Sequence, residues 1–438
     1  MGFVRFVLAA GAAAALAACG TTNVSTAPNA AGEQLYESLY PYYAELCALS
    51  QFKKKPGFGA PVSSGFGDGI GGHAVLYLNG ACRVADAHYP TIKLCDASPA
   101  DGEHGVGISV NAHFKNANWI ATPGRDFFFH GGLAPHEPLT RAGYQRTQAK
   151  AQALGILDGV EFHREALDDM PDGMSQRDYM YEVSVATDYA IGFGRDRYCA
   201  RVPLDREKMG RIVRFLDDLN APYRRADKEF DWSVVRNNCS HALHNALAAA
   251  GVWDNWDVDR FVLLAAFDFP VPKNEFVNLM QRTNDLPLED PPALYRDEIS
   301  RRALLSDRWL PTEPGALAEA EPAVQDNEVY ETNLKLIFYD EAITGRYRKR
   351  FARIFSEPRY TEIRANLDYF AARYGKINQQ RQSLRREAGD AASGAADSLA
   401  TAFYARFFAY VDGETARVDA AIKSLDQARP SLAKASER

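Results

Sequence analysis

Arg236-Asn237-Asn238-Cys239-Ser240-His241-Ala242-Leu243-His244 is the stretch on which the reading of this chain turns. Phe230 to Val235 precedes it as a short apolar run of strand composition. Either asparagine suits a helix cap, because its side-chain oxygen accepts from an unpaired N–H of the first turn. Beyond them, Cys239, Ala242, Leu243, Ala246, Leu247 and Ala250 fall on one face at helical spacing. Gly251 is a residue that ends helices in the left-handed conformation. A helix from Cys239 to about Ala250 is therefore predicted, with the thiol in its first turn and turned inward. Unpaired amides and the dipole at a helix start favour the thiolate, which is the nucleophilic form. The same pattern also serves plain core packing, so the rest of the chain has to decide.

At the amino end, Arg5 is the only charge before the apolar run Phe6 to Ala18, which is too short to span a bilayer. That run closes on Leu16-Ala17-Ala18-Cys19-Gly20, which resembles the lipobox of bacterial lipoproteins. The resemblance implies cleavage after residue 18 and an acyl chain such as palmitate on Cys19. Residues 1–18 then read as signal peptide and 19–33 as a polar tether. The expected location is the cell envelope, lipid-anchored and facing the periplasm, at the outer membrane. No later apolar run is long enough to span a membrane.

The chain has 438 residues, 46% of them hydrophobic, and a formal net charge of −7. Its length allows two or three domains, and its charge has no basic footprint of the kind that binds nucleic acid. Six cysteines are present. With Cys19 assigned to lipid and Cys239 to chemistry, Cys47, Cys82, Cys95 and Cys199 remain for two disulfides in an oxidising compartment. Cys82 and Cys95 flank a short strand-and-turn segment and form the favoured pair, leaving Cys47 with Cys199. No CxxC spacing occurs, so neither a zinc site nor another cofactor is expected.

Between the tether and Cys239 the pattern is mixed. Residues 34–50 carry a helical stripe of Leu35, Tyr36, Leu39, Tyr43, Leu46 and Leu49. Gly65, Gly67, Gly69, Gly71 and Gly72 follow, without the Lys-Ser/Thr ending of a phosphate loop. They lead into His73-Ala74-Val75-Leu76-Tyr77-Leu78, a strand by composition. Arg83 to Tyr89 reads as a second strand with Val84, Asp86 and His88 on one face. Val106 to Phe114 reads as a third, with Gly107, Ser109, Asn111 and His113 on its polar face, and Asp126 to His130 as a fourth. Residues 138–168 are helical, Arg197 to Val202 is a strand, and Asp205 caps a helix with Met209, Ile212, Val213, Leu216 and Leu219 inward. After Gly251 the composition shifts. Residues 286–328 are rich in proline and acid; 329–385 and 398–428 read as long helices, with a Gly/Ala/Ser turn between them.

The order is a glycine loop, a histidine on a strand, further strands, then a cysteine at a buried helix start. A papain-like site needs a thiol at a helix start facing a strand histidine, with a polar group to orient the imidazole. Here the histidine precedes the cysteine, as in circularly permuted members of that superfamily. The runs Gly-His-Ala-Val-Leu, Ile-Ser-Val-Asn-Ala-His-Phe, Arg-Asp-Arg-Tyr-Cys-Ala-Arg-Val-Pro-Leu and Asn-Asn-Cys-Ser-His-Ala-Leu resemble the Lnb N-terminal periplasmic domain family over roughly residues 65–252.

The resemblance implies an α+β fold: a permuted papain-like (NlpC-like) domain of antiparallel sheet packed on helices, followed by a mostly helical domain. The expected boundaries are 34–260 for the first domain, 261–328 for a connecting segment and 329–438 for the helical domain. It also implies that Cys239 and His73 are the active pair of a thiol-dependent hydrolase or acyltransferase. Asn111 is favoured as third member by the Ser-Val-Asn match, with Asp86 and His88 as alternatives from strand order. Amides at the helix start, with Asn238 and Ser240, would form the oxyanion site. His241 and His244 lie off the Cys239 face and read as packing or surface residues. The substrate would be an envelope lipid, a lipoprotein or peptidoglycan. The alternatives are peptide cleavage in the cell wall and a non-catalytic lipid-anchored scaffold whose helical half binds a protein partner.

Overall fold

Pro41 ends the first helix early. In the computed structural model, which describes residues 26, 30–57, 72–84, 87–96, 104–234, 237–258, 270–332, 347–384 and 398–436, helix α1 covers Ala30–Leu39 and strand β1 covers Tyr43–Leu49. The continuous helix expected over 34–50 is thus corrected to helix plus strand. Proline has no N–H to give the helix ladder and disfavours helical backbone in the residue before it. Every residue of β1 is buried, as a central strand covered on both faces requires.

Five further strands join β1 in one antiparallel sheet. They are β2 (His73–Asn79), β5 (Gly105–Ser109), β6 (Ile120–Pro123), β7 (Arg197–Pro203) and β8 (Leu317–Glu321), in the order β6-β5-β2-β1-β7-β8. A separate hairpin pairs β3 (Ala81–Arg83) with β4 (Ile92–Leu94). The strand expected over 83–89 is not formed: β3 stops at Arg83, and His88 lies exposed in a bend. Asp86 lies outside the described residues. The third expected strand stops at Ser109, short of Phe114. The fourth is a helix, α2 (Arg125–His130), closed by Gly131 in left-handed conformation. Phe127, Phe128 and Phe129 are all buried there, so an unbroken apolar run could not distinguish helix from strand.

The two faces of the sheet differ chemically. Ala44, Leu46, Ala48, Ala74, Leu76, Leu78, Ala200, Val202, Ala318 and Ala320 form one apolar face in the main core. Helices α6 (Cys239–Ala249) and α7 (Pro272–Asn284) lie on it, α6 against β2 and α7 against β1 and β7. The opposite face carries Tyr43, Cys47, Leu49, Val75, Tyr77 and Cys199 under Tyr36 of α1 and Phe128 and Phe129 of α2. Cys47 and Cys199 stand directly opposite on β1 and β7 and are bridged, as are Cys82 and Cys95. Both expected disulfides are present.

The bridged face also holds a buried charge network. Arg125 contacts Glu45 at 3.1 Å and Glu319 at 3.2 Å, while Arg201 reaches Glu33 at 3.0 Å and Glu319 at 2.5 Å. Arg197 pairs with Glu319 and Glu321. Burial works against a charge on Glu319, but Arg125, Arg201 and Arg197 outweigh it and hold its carboxyl down at about 2. Arg201 and Glu33 tie α1 to the sheet.

The remaining helices in the chain's first part are α3 (Arg141–Ala153), α4 (Gln176–Ser184) and α5 (Arg206–Arg224). Asp205 caps α5 by accepting from the Lys208 amide, as its sequence predicts. Beyond α7 come α8 (Pro291–Arg296), α9 (Glu298–Asp307), α10 (Tyr347–Ser356), α11 (Ile363–Gln379) and α12 (Ser398–Ser436). The architecture is α+β with a helical carboxy-terminal part. The segment 286–328, expected as a connector, instead contributes two helices and the edge strand β8, hydrogen-bonded to β7. Phe276 and Tyr198 pack edge-on against Phe351 of α10, so the helical part shares the sheet's core. Among the described residues no helix is long and apolar enough to cross a membrane. The lipobox and Cys19 lie outside them.

Candidate active site

Cys239 is the first residue of α6, as the sequence predicts, and is 7% exposed. It stays outside both disulfides. Of the strand expected just before it, at 230–235, the described part, 230–234, is irregular: Phe230 donates to the Lys115 carbonyl, and Ser233 bridges Asn237. Asn238 is the cap. Its oxygen accepts from the His241 amide at 3.1 Å, and its own amide N–H donates to His241 Nδ1 at 3.3 Å. Two donors of the helix start are thereby satisfied reciprocally. Asn238 Nδ2 donates to the Val234 carbonyl at 2.6 Å, so its side chain is engaged at both ends. One hydrogen of that amide is committed to the loop before the helix. Ser240 Oγ is buried and has no hydrogen-bond partner among the described residues.

His241 and His244 are buried, the packing member of the two expected alternatives. His241 completes the cap. His244 faces the Glu275 carboxylate at 2.6 Å from Nδ1 and the Asp254 carbonyl at 2.9 Å from Nε2, and stacks flat on Trp253 at 4.2 Å. Glu275 stands in the first turn of α7, so His244 joins the two helices on the apolar face. Lys273, also in that turn, is buried, and burial lowers its amine to about 7.

His73 occupies the first position of β2, as expected. Its register partner is Leu49, and Val75 pairs with both Cys47 and Ser109. Directly paired residues share a face, so His73 lies on the bridged face and α6 on the other. There His73 Nε2 lies 3.2 Å from Ser109 Oγ. Ser109 Oγ is 2.6 Å from Asp188 Oδ1, and Asn111 Nδ2 donates to Asp188 Oδ2 at 2.8 Å. Burial, then the positive charge of Arg195, lowers the imidazole to about 3 against a smaller opposing hydrogen bond to the Thr187 backbone. His73 is a neutral ring in a closed polar cluster.

Of the expected partners, Asn111 joins His73, through Asp188. His88 does not: it is exposed, and its carbonyl packs where Gly159 leaves room. Asp188 and Ser109 are the members that sequence reasoning missed. Asp188 sits in a turn between Ala186 (φ 61°) and Ala190 (φ 52°), left-handed conformations that cost alanine energy. Arg195 clamps this turn, donating from Nε to the Ala186 carbonyl and from Nη1 to that of Ser50, each at 2.7 Å. Nothing in Ala186-Thr187-Asp188-Tyr189-Ala190 advertises such backbone, because no glycine or asparagine marks it.

Glu45, Cys47 and Cys199 form the grouping of metal-type ligands among the described residues, but both sulfurs are in a disulfide. They therefore offer no thiolate. Compared with family profiles, with curated proteins and with solved structures, the chain matches none.

Proposed function

We propose that this protein is a cell-envelope, lipid-anchored thiol enzyme, a hydrolase or acyltransferase acting through a thioester at Cys239. One observation carries the reading: among the described residues four cysteines are cross-linked in pairs, and the cysteine outside both bridges opens a capped helix of 11 residues. The helix start favours negative charge on that sulfur. Attack on an acyl carbonyl would place the developing oxyanion near the first-turn amides. The permuted papain-like assignment, the Lnb-type resemblance and the periplasmic location belong to this same proposal. Its substrates are an acyl lipid, a lipoprotein amide or a wall peptide.

A second reading is favoured by a specific observation. His73 and Cys239 lie on opposite faces of β2, and Cys239 is 7% exposed. A lipid-anchored scaffold, with a helical part that meets a partner, fits those two facts without any chemistry.

Alkylation of the Cys239 thiol, followed by mass mapping across pH, separates the readings. The enzyme reading expects labelling near neutral pH well ahead of an ordinary thiol. Labelling that also slows in His73→Ala would establish the pair as a working dyad. Fast labelling that ignores His73 would keep Cys239 as nucleophile and assign His73 to the Asp188 cluster. Slow labelling in both proteins would return Cys239 to the core and leave the scaffold.

A further inference from the structure

A second buried set of ionisable groups lies far from β2, where α12 crosses the molecule. Glu313, in the turn before β8, and Glu414, on α12, are 3% and 6% exposed. One guanidinium serves both: Arg417 reaches Glu313 Oε1 at 2.6 Å and Glu414 Oε1 at 2.7 Å. Trp309 Nε1 donates to the other oxygen of Glu313 at 2.7 Å. The other oxygen of Glu414 is buried with no hydrogen-bond partner among the described residues.

Two buried carboxylates sharing one half-exposed cation leave a surplus negative charge, and one carboxylate oxygen has no partner among the described residues. A proton removes both costs at once. The groups facing Glu414 do not supply an alternative. Lys208 of α5 is committed to Asp205 at 2.5 Å and lies over the Trp309 ring. Tyr410 of α12 donates to the Thr312 carbonyl at 3.2 Å and meets Tyr374 of α11 at 3.4 Å. Tyr40, after α1, is buried beside the pair and adds no cation.

We infer that Glu313 and Glu414 form a single-proton site that latches α12 onto the rest of the molecule, closed when the pair holds its proton and loosened when it does not. The position suits a latch. Helix α12 packs against α1, α8, α9 and α11, so the pair lies where the two ends of the fold meet. Burial, then Glu313, raises the Glu414 carboxyl to about 7 against the pull of Arg417. The sign follows: a raised native value makes the stabilisation full below the ordinary carboxyl range and lost as pH rises through about 7. Between the ordinary carboxyl range and about 7 the opening equilibrium should grow by about tenfold per pH unit for one proton, and it should level off above that. The inference is independent of Cys239 and holds for an enzyme or a scaffold.

Two measurements on the full chain test it. Infrared difference spectra between pH 5.5 and pH 8.5 should contain the C=O band of a buried neutral carboxylic acid, titrating near neutrality and absent in Glu414→Gln. Thermal melting should fall for the native protein over the same range and stay level for Glu414→Gln. If that variant does not fold, Glu313→Gln serves instead, because removing the repulsion should move the band's midpoint toward acid. A native protein without the band would overturn the proton site. Equal loss of melting temperature in native and variant protein would overturn the latch.

Discussion

Asn238 shows how much one amide can fix. It caps α6, holds the Val234 carbonyl and receives His241 in return, so it sets where the Cys239 helix begins. Replacing it by alanine should cost about 0.5–2 kcal/mol, the range for a lost N-cap, while Asn238→Asp should recover only the capping part, because a carboxylate has no hydrogen to give the Val234 carbonyl. Urea unfolding of the three proteins checks this. Parent-like stability of Asn238→Ala would mean the helix start is held by its burial alone. Two asparagines in a row left the choice of cap open in the sequence, and the backbone resolves it in favour of the second. His73 was legible as a strand start, but its face was not. That depends on which residues β1 and β5 put beside it, and therefore on register.

Among the elements, strands and helices failed where local pattern was ambiguous. The Phe127-Phe128-Phe129 run is buried on every side, and period carries no information there. The two disulfides are informative in another way. Cys47–Cys199 closes a separation of 152 residues and Cys82–Cys95 one of 13. Chain-entropy reasoning gives about 5 and about 3 kcal/mol for such loops. The pair of variants Cys47→Ser/Cys199→Ser should therefore lower Tm more than Cys82→Ser/Cys95→Ser. The long bridge also sits among the Glu45, Glu319 and Arg201 charges, so its loss disturbs the network that ties α1 to the sheet. An equal fall in Tm would show that residual structure in the unfolded chain, and not loop length, governs both.

At the scale of the molecule, the helical part is not an appendage. Strand β8 is supplied from residues 317–321 and completes the sheet edge beside β7. Phe351 and Phe355 of α10 pack on Tyr198 and Phe276. A fragment ending at residue 285 would lose β8 and expose the Tyr198 side of the sheet, an unpaired and apolar strand edge. It should be insoluble or aggregate on expression, whereas the sequence alone favoured a clean boundary near residue 260. A soluble, monomeric fragment with native circular dichroism would show that the sheet forms without its edge strand β8.

What the sequence by itself determined was local and chemical. It fixed the Cys239 helix, the Asp205 cap, the strands at His73 and Arg197, and the division of four cysteines into two bridges. Each is set by neighbours within a few turns, or by counting thiols. Tertiary structure alone decided the rest: the late strand β8, the opposite faces of His73 and Cys239, and the role of Asp188. Those depend on pairing between residues far apart in the chain, and a strand's face reverses with a one-residue change of register. Burial then does what no local pattern reveals. It holds the His73 imidazole well down beside Asp188, and it leaves one oxygen of Glu414 with no hydrogen-bond partner among the described residues.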